Sequence, residues 1–401
     1  MSERQRHHEF GPSDPNIGIY NELARLRAVA VWGQLGTEAS LAQLYPPTVS
    51  LFHDEMDVLK ARNESVRFAN LLRDKGVVVY QVRDELAKLL PDVMMHKSSV
   101  LDALIAKAVE IQNRTGKSKH LIDDEIVELV EQDIELYGQD KALMLNRVLS
   151  LDSKFPMGNL IYARDQMNVL LGTRFASTMA KPIRKPEVDL YEKVYQQGLG
   201  LPAPVTIPQG ETFEGGDAYI HDGIVYVGVG ARTTLGAAIH IYKTLAGQLS
   251  QTGLEFVIVQ DLGVEKRSFK EQMDFMHLDT FSMPVAPGKI MLCEEEGSRR
   301  KTLSVDTSTG TLIDTGLSFL RFLEEQGQEV MSVPLEEQRF FGCNFLNLDA
   351  CTAFVPLESN TRTNGQLEEA GKDVELVDLL ESTKGYGGPH CMTGQLLRED
   401  P

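Results

Sequence analysis

Apolar positions along this chain switch between two spacings, and the switches divide it. Arg27–Trp32 (RAVAVW) has strand character. Over Phe52–Leu72 the apolar or small residues Met56, Leu59, Val66, Ala69 and Leu72 recur at helical spacing. Gly76 ends that helix, and Val77–Val82 follows as a buried strand. From about Asp84 to Val148 almost every stretch is helical in pattern: Leu101, Leu104, Ile105 and Ala108 share one face, and Ile122, Ile126, Leu129, Val130 and Tyr137 another. The acidic run DDEIVELVEQDIEL within it reads as a solvated face.

Strand patterns return after Leu149, at Asn168–Leu170, Ala218–Ile220, Ile224–Val227, Phe256–Val259, Lys289–Leu292, Val330–Val333, Ala353–Val355 and Val374–Val377. Asp222-Gly223 is a two-residue hairpin turn. Helical patterns at Thr233–Leu249, 316–326 and 361–371 fall between them. The alternation predicts an α/β fold of repeated ββαβ-like units. Residues 1–16 are expected to be a mobile tail, 17–83 and 149–401 the main domain, and 84–148 an inserted helical domain.

The net charge of −18 argues against nucleic acid and anionic membrane as partners and is compatible with a cationic small molecule. No run approaches about 18 consecutive apolar residues, so no membrane span is expected. Met1–Pro15 is polar and lacks the apolar core of a signal peptide. The four cysteines contain no CxxC pair, so neither a disulfide framework nor a zinc site is expected, and a cytoplasmic enzyme with reduced thiols fits.

Four stretches carry candidate chemistry. Gly387-Gly388-Pro389-His390-Cys391-Met392-Thr393 places a cysteine beside small residues that leave room for a substrate; a buried structural cysteine is the plainer reading. Glu214-Gly215-Gly216-Asp217 sets two acids around two glycines, or is simply a tight turn. His277 and Asp279 stand two apart, on one face if the segment is extended, and otherwise form a surface pair. Asn159–Asp165 adds an amide, Arg164 and Asp165. A cysteine, a histidine and three or four acids (Asp165, Glu214, Asp279 and Asp217) suit attack by sulfur on a planar guanidinium gripped by carboxylates. The competing reading is a Mn²⁺ or Fe²⁺ site, which leaves the late cysteine without a role.

These stretches resemble the arginine deiminase family of the guanidino-group-modifying, amidinotransferase superfamily. The resemblance runs through NELARLRAVAVWGQ, LFHDE, the helical insertion, GNLIYARD, EGGD, MHLDT and GGPHCMT. It implies a five-bladed α/β propeller of ββαβ pseudo-repeats and hydrolysis of L-arginine to citrulline and ammonia, with no cofactor or metal. Residue by residue it implies Cys391 as nucleophile, His277 as general acid and base, and Asp165 and Asp279 as the guanidinium grip. It implies Glu214 as the acid that sits with His277 and helps hold the guanidine end, and Asn159, Arg184 (in KPIRKPE) and Arg232 (in GARTT) as ligands of the amino acid end. A homo-oligomer, dimer or tetramer, is expected.

Three departures stand out. His390 precedes the cysteine where the family usually has arginine, as in agmatine deiminases and amidinotransferases. Met392-Thr393-Gly394-Gln395 replaces CMSMP or CMTCP, and YARD replaces FTRD. They leave open an amidinotransferase, an ornithine-forming dihydrolase, an agmatine deiminase and a non-catalytic arginine binder on the same fold.

Overall fold

Asp222 and Gly223 have φ values of +43° and +80°, the two left-handed residues that a type I′ turn requires. They join the antiparallel strands Ala218–His221 and Ile224–Val229, with Ala218 opposite Val227. The chain then enters the helix Leu235–Thr252, whose first turn is capped by Thr234 Oγ1 accepting from Ala237 N–H. Gly253, at φ +71°, ends the helix. The chain returns as Glu255–Gln260, parallel to Ile224–Val229. This is one ββαβ unit, as the spacing predicts. The computed structural model describes residues 17–306 and 309–399, so the tail expected at residues 1–16 lies outside the described residues.

The same grouping recurs. Ser282–Ala286 and Lys289–Leu292 are antiparallel, with Glu329–Ser332 parallel to the second. Leu346–Asn347 and Thr352–Val355 are antiparallel, with Asp373–Leu376 parallel to the second across the helix Thr361–Glu369. Gly394–Glu399 and Arg25–Val31 are antiparallel, with Val78–Gln81 parallel to the latter. A fifth sheet is the lone hairpin Met167–Leu170 with Thr173–Ala176. The fold is therefore mixed α/β, with its described strands in five separate sheets.

Several elements differ from their expected form. The helix expected from Phe52 begins only at Val58 and runs to Asp74, because Leu51 takes a left-handed backbone (φ +64°) and breaks the chain after Pro47–Ser50. Lys301–Val305 and Leu312–Ser318 extend the five-stranded sheet. Leu312–Ser318 is a half-exposed strand with no apolar run, so it leaves no periodic signal.

Between Val82 and Ser150 the described chain is helical, with helices Val82–Leu89, Lys97–Thr115, Ile122–Tyr137 and Gln139–Ser150. The buried face of the second is Val100, Leu104, Ala108 and Ile111, one step round from the expected one; Leu101 and Ile105 are only partly buried. The acidic run is not wholly solvated. Asp133 is fully buried and accepts hydrogen bonds from Arg62 Nη1 (2.8 Å), Arg83 Nη2 (2.6 Å) and Asn146 Nδ2 (2.8 Å). Arg83 also pairs with buried Glu38. The network ties the helix Ile122–Tyr137 to Val58–Asp74 and to Val82–Leu89. Replacing Asp133 with asparagine removes the charge shared by two buried guanidiniums. The expected cost is about 3–5 kcal/mol of folding stability, read as a lowered urea midpoint. An unchanged midpoint would mean that the network contributes nothing net. Among the described residues no helix is long and apolar enough to cross a membrane.

Candidate active site

The glycines of the two candidate loops are required by space, not by backbone conformation, since none of Gly215, Gly216, Gly387 and Gly388 has a positive φ. A Cβ on Gly215 would lie 2.1 Å from the Arg164 carbonyl and 2.4 Å from that of Met167. On Gly216 it would lie 2.9 Å from His277 Nδ1 and 3.0 Å from Asp279 Oδ1. On Gly387 it would strike the Tyr162 ring at 2.4 Å and stand 3.0 Å from Cys391 Cβ. The small residues before the cysteine thus make room for Tyr162, and at Gly388 for Asn344, rather than for a substrate.

His277 and Asp279 do not lie on an extended segment. His277 is the N-cap of a one-turn helix, Leu278–Phe281, and Asp279 sits in its first turn. The Asp217 carboxylate anchors that turn, accepting from Leu278 N–H at 3.0 Å. Burial pushes the Asp217 carboxyl up to about 6. Both His277 and Asp279 still reach the same place, so the expectation of convergence holds for a different reason.

All eight residues singled out from the sequence are buried, none more than 3% exposed. The Cys391 sulfur lies 3.8 Å from Asp279 Oδ2. His277 Nε2 is 3.0 Å from Glu214 Oε2, and its Nδ1 is 3.5 Å from Asp165 Oδ1. Arg232 Nη1 donates to Glu214 Oε2 at 3.0 Å. Arg184 pairs with Asp165 Oδ2, donates to Glu187 Oε2 at 2.9 Å and reaches the Asn159 carbonyl at 3.3 Å. The Asn159 amide is turned away, donating to the Ser50 carbonyl at 3.0 Å. Arg164 is not paired with Asp165; it donates to the Ala218 carbonyl at 2.8 Å.

Asp165 Oδ1, Asp279 Oδ1 and His277 Nδ1 are buried and make no hydrogen bond, although the first and the last face each other at 3.5 Å. Such groups are costly unless something meets them. The electrostatics sharpen the picture. Burial alone would discharge His277, but Asp165 and the hydrogen bond to Glu214 outweigh it and raise the imidazole to about 9. Burial also works against the Glu214 carboxylate, yet Arg232 and His277 hold it below the usual carboxylate range. The Cys391 thiol is pushed well above its ordinary value, first by burial and then by Asp279 and Asp165. The site therefore pairs a protonated imidazole and a neutral thiol with carboxylate oxygens that face inward.

Sequence reasoning assigned no role to several residues that build this arrangement. Asn344 Oδ1 accepts from the backbone N–H of Gly388 (2.9 Å) and of Cys391 (3.1 Å), while its Nδ2 donates to the Asp279 carbonyl at 3.0 Å. It fixes the cysteine loop against the Asp279 turn, and no local pattern around it announces this. His390 bridges two acids, with Nδ1 2.7 Å from Asp279 Oδ2 and Nε2 3.2 Å from Glu22 Oε1. Glu22 also accepts from Arg398 at 3.0 Å and Gln395 at 2.9 Å. The departure at position 390 is thus a structural tie behind Asp279.

The sequence model of a family described as "Arginine deiminase" matches residues 50–398. The arginine deiminase of Listeria monocytogenes is 25% identical over 420 aligned positions, covering 96% of this chain and 98% of that protein. That of Mycobacterium marinum is 25% identical over 409, with the same coverages. Among solved structures, an amidinotransferase of the saxitoxin biosynthetic pathway from Microseira wollei superposes with a TM-score of 0.55 at 15% identity, covering 96% of this chain and 98% of that one. DDAH from Pseudomonas aeruginosa, in a complex with citrulline, superposes with a TM-score of 0.53 at 14% identity, covering 94% and 100%. These two structures share the fold.

Proposed function

Because the chain belongs to the arginine deiminase family, we propose that it hydrolyses the guanidinium of L-arginine to give citrulline and ammonia, with Cys391 as nucleophile. The observation that carries this reading is the trio of buried atoms without a hydrogen bond on Asp165, Asp279 and His277, with Asp279 against the Cys391 sulfur. Asp165 Oδ1 and the protonated His277 Nδ1 face each other at 3.5 Å without a hydrogen bond, and Asp279 Oδ1 is an acceptor awaiting a donor. A guanidinium brings planar paired donors to the two oxygens.

In this reading the bound cation offsets the charges that keep the Cys391 thiol protonated, and the thiolate forms on binding as its proton passes to the Asp279 carboxylate, 3.8 Å away. Sulfur bonds to the guanidinium carbon. His277 gives its proton to one terminal nitrogen, the carbon–nitrogen bond breaks, and ammonia leaves. Water then attacks the amidino-cysteine with His277 taking one of its protons, the carbon–sulfur bond breaks, the remaining hydroxyl proton restores the thiol, and citrulline is released. The amino acid end is assigned to Arg184, Arg232 and Asn159.

Asp165, Glu214 and His277 bring ligand atoms within 4.8 Å of one another, which is the alternative of a metal centre. Two protein guanidiniums already touch those carboxylates and the imidazole is held protonated, so the donor set suits an organic cation better than a dication. Both ring nitrogens of His390 face carboxylates. That leaves it no free nitrogen to activate a second nucleophile, which favours simple deimination over amidino transfer or a second hydrolysis. We also read the five separate sheets as blades of a propeller, brought together by the pairing of Arg25–Val31 with Gly394–Glu399, and the helical run as an inserted domain.

The test is product analysis with L-arginine and, in parallel, agmatine. Citrulline with one equivalent of ammonia is expected from arginine. Ornithine, or no reaction until an acceptor amine is added, would reassign the enzyme within the superfamily. Binding without any product would leave an arginine-binding protein.

A further inference from the structure

Each cation assigned to the substrate's carboxylate rests on an anion assigned to the substrate's guanidinium end. Arg184 is seated on Asp165, and Arg232 on Glu214. The two seats are not alike. Arg232 places one terminal nitrogen on Glu214, while the other faces only the sulfur atoms of Met273 and Met276, at 3.1 and 3.3 Å. Thioether sulfur is a weak acceptor, so half of that fork already awaits an oxygen. Arg184 is engaged on every side: Nη1 on Asp165 Oδ2, Nη2 on the Asn159 carbonyl and Nε on Glu187. Only Oδ1 of Asp165 is free of a hydrogen bond, and it faces the His277 imidazole at 3.5 Å. A guanidinium needs both oxygens for paired hydrogen bonds, and so cannot seat fully on Asp165 while Arg184 holds Oδ2.

We propose that Arg184 is an exchangeable occupant of the substrate's cation site, and that its transfer onto the substrate's α-carboxylate is what makes that carboxylate a condition of turnover. The inference rests on the arginine-hydrolysing reading. A ligand with both groups exchanges one buried ion pair for two. Its carboxylate meets the open half of Arg232 and draws Arg184 across, while Glu187 keeps hold of Nε as a pivot. Asp165 then presents both oxygens to the incoming guanidinium. A ligand with a guanidinium and no carboxylate brings a further cation against the same acids. It must leave Arg184 on Asp165 or strand it in a buried place, and a stranded buried charge is costly. Selectivity for the amino acid over its decarboxylated analogue thus arises from coupling between two subsites through one side chain, and not only from a lost contact.

The experiment compares kcat/KM for L-arginine and agmatine in the wild type and in Arg184→Ala, each with formate or with chloride at matched ionic strength. Formate supplies the missing carboxylate as a separate molecule. In the wild type, formate should raise agmatine turnover by about fivefold or more, within the usual range of coupling between sites. In Arg184→Ala, arginine turnover should fall. Agmatine turnover should rise by a similar factor above the wild type, with no further gain from formate. A simple lost contact predicts no gain for agmatine in the variant, and that result overturns the inference. Equal activation by formate in both proteins also overturns it. If the alanine variant does not fold, Arg184→Gln, which keeps an amide donor for Glu187, takes its place. No formate effect in the wild type overturns the inference without any variant. Should the wild type fail to hydrolyse arginine at all, the functional reading falls and takes the inference with it. Normal arginine turnover with formate-insensitive agmatine removes the inference alone.

Discussion

Replacing Cys391 with alanine is expected to lower arginine turnover by at least about 10⁴-fold, the scale of losing a covalent nucleophile. The fold should survive. Cys391 is a buried member of the largest apolar cluster, which also holds Met392 and Tyr162, and losing one sulfur atom there costs far less than a larger truncation. The thermal midpoint should therefore stay within a few degrees. The two readings separate a catalytic cysteine from a packing one. A packing cysteine would lose stability and keep turnover, and a variant with a tenth of the wild-type rate would remove Cys391 from the mechanism. In the wild type the same burial should make the ligand-free thiol slow toward iodoacetamide, because the reactive thiolate is scarce when the group is pushed well above its ordinary value.

Replacing His277 with alanine should cost about 10²–10⁴-fold, the range for a general acid and base, and it should also change the shape of the pH profile. In the free enzyme the imidazole is raised to about 9 by Asp165 and Glu214 against the effect of burial. The protonated form, which in the proposed mechanism supplies the proton to the leaving nitrogen, thus dominates at neutral pH. For the wild type, kcat/KM should fall as pH rises through about 9, and the alanine variant should lack that alkaline limb. Stability follows the same proton. The folded-state value lies above the ordinary 6.5. The stabilising contribution is therefore complete below about pH 6.5 and is lost as pH rises through about 9. An alkaline limb that persists in His277→Ala would assign it to another group and sink this role.

The parts of the structure legible in the sequence were those whose signals are local. Asp222-Gly223 gave its hairpin away because its left-handed backbone has few solutions. Short buried strands such as Glu255–Gln260 announced themselves by apolar runs. His277 and Asp279 were recognisable as a pair, but the spacing suggested a strand and the chain makes a one-turn helix. A two-residue offset does not distinguish them once other elements dictate where each side chain points. What was not legible depends on residues far apart in the chain. Asn344 holds the cysteine loop from 44 and 47 positions away. Glu22 reaches His390 from 368 away. Asp133 looked like one more solvated acid and became buried only because Arg62 and Arg83 arrive from other helices. Local composition cannot report a partner that tertiary folding supplies.

The pairing of Arg25–Val31 with Gly394–Glu399 also sets an order of events during synthesis. Cys391 and the strand that fastens its loop leave the ribosome after every other residue of the site. At about 5–20 residues per second, the acids, the histidine and both arginines are exposed to the cell for seconds before the sulfur joins them. Until that strand emerges, the nascent chain lacks the proposed nucleophile. A message cut short between Asp279 and Cys391 would yield a protein that still carries Asp165, Glu214, His277 and Asp279 but lacks the proposed nucleophile. Incomplete products would be silent rather than partly active, and the cell would need no separate means of restraining them.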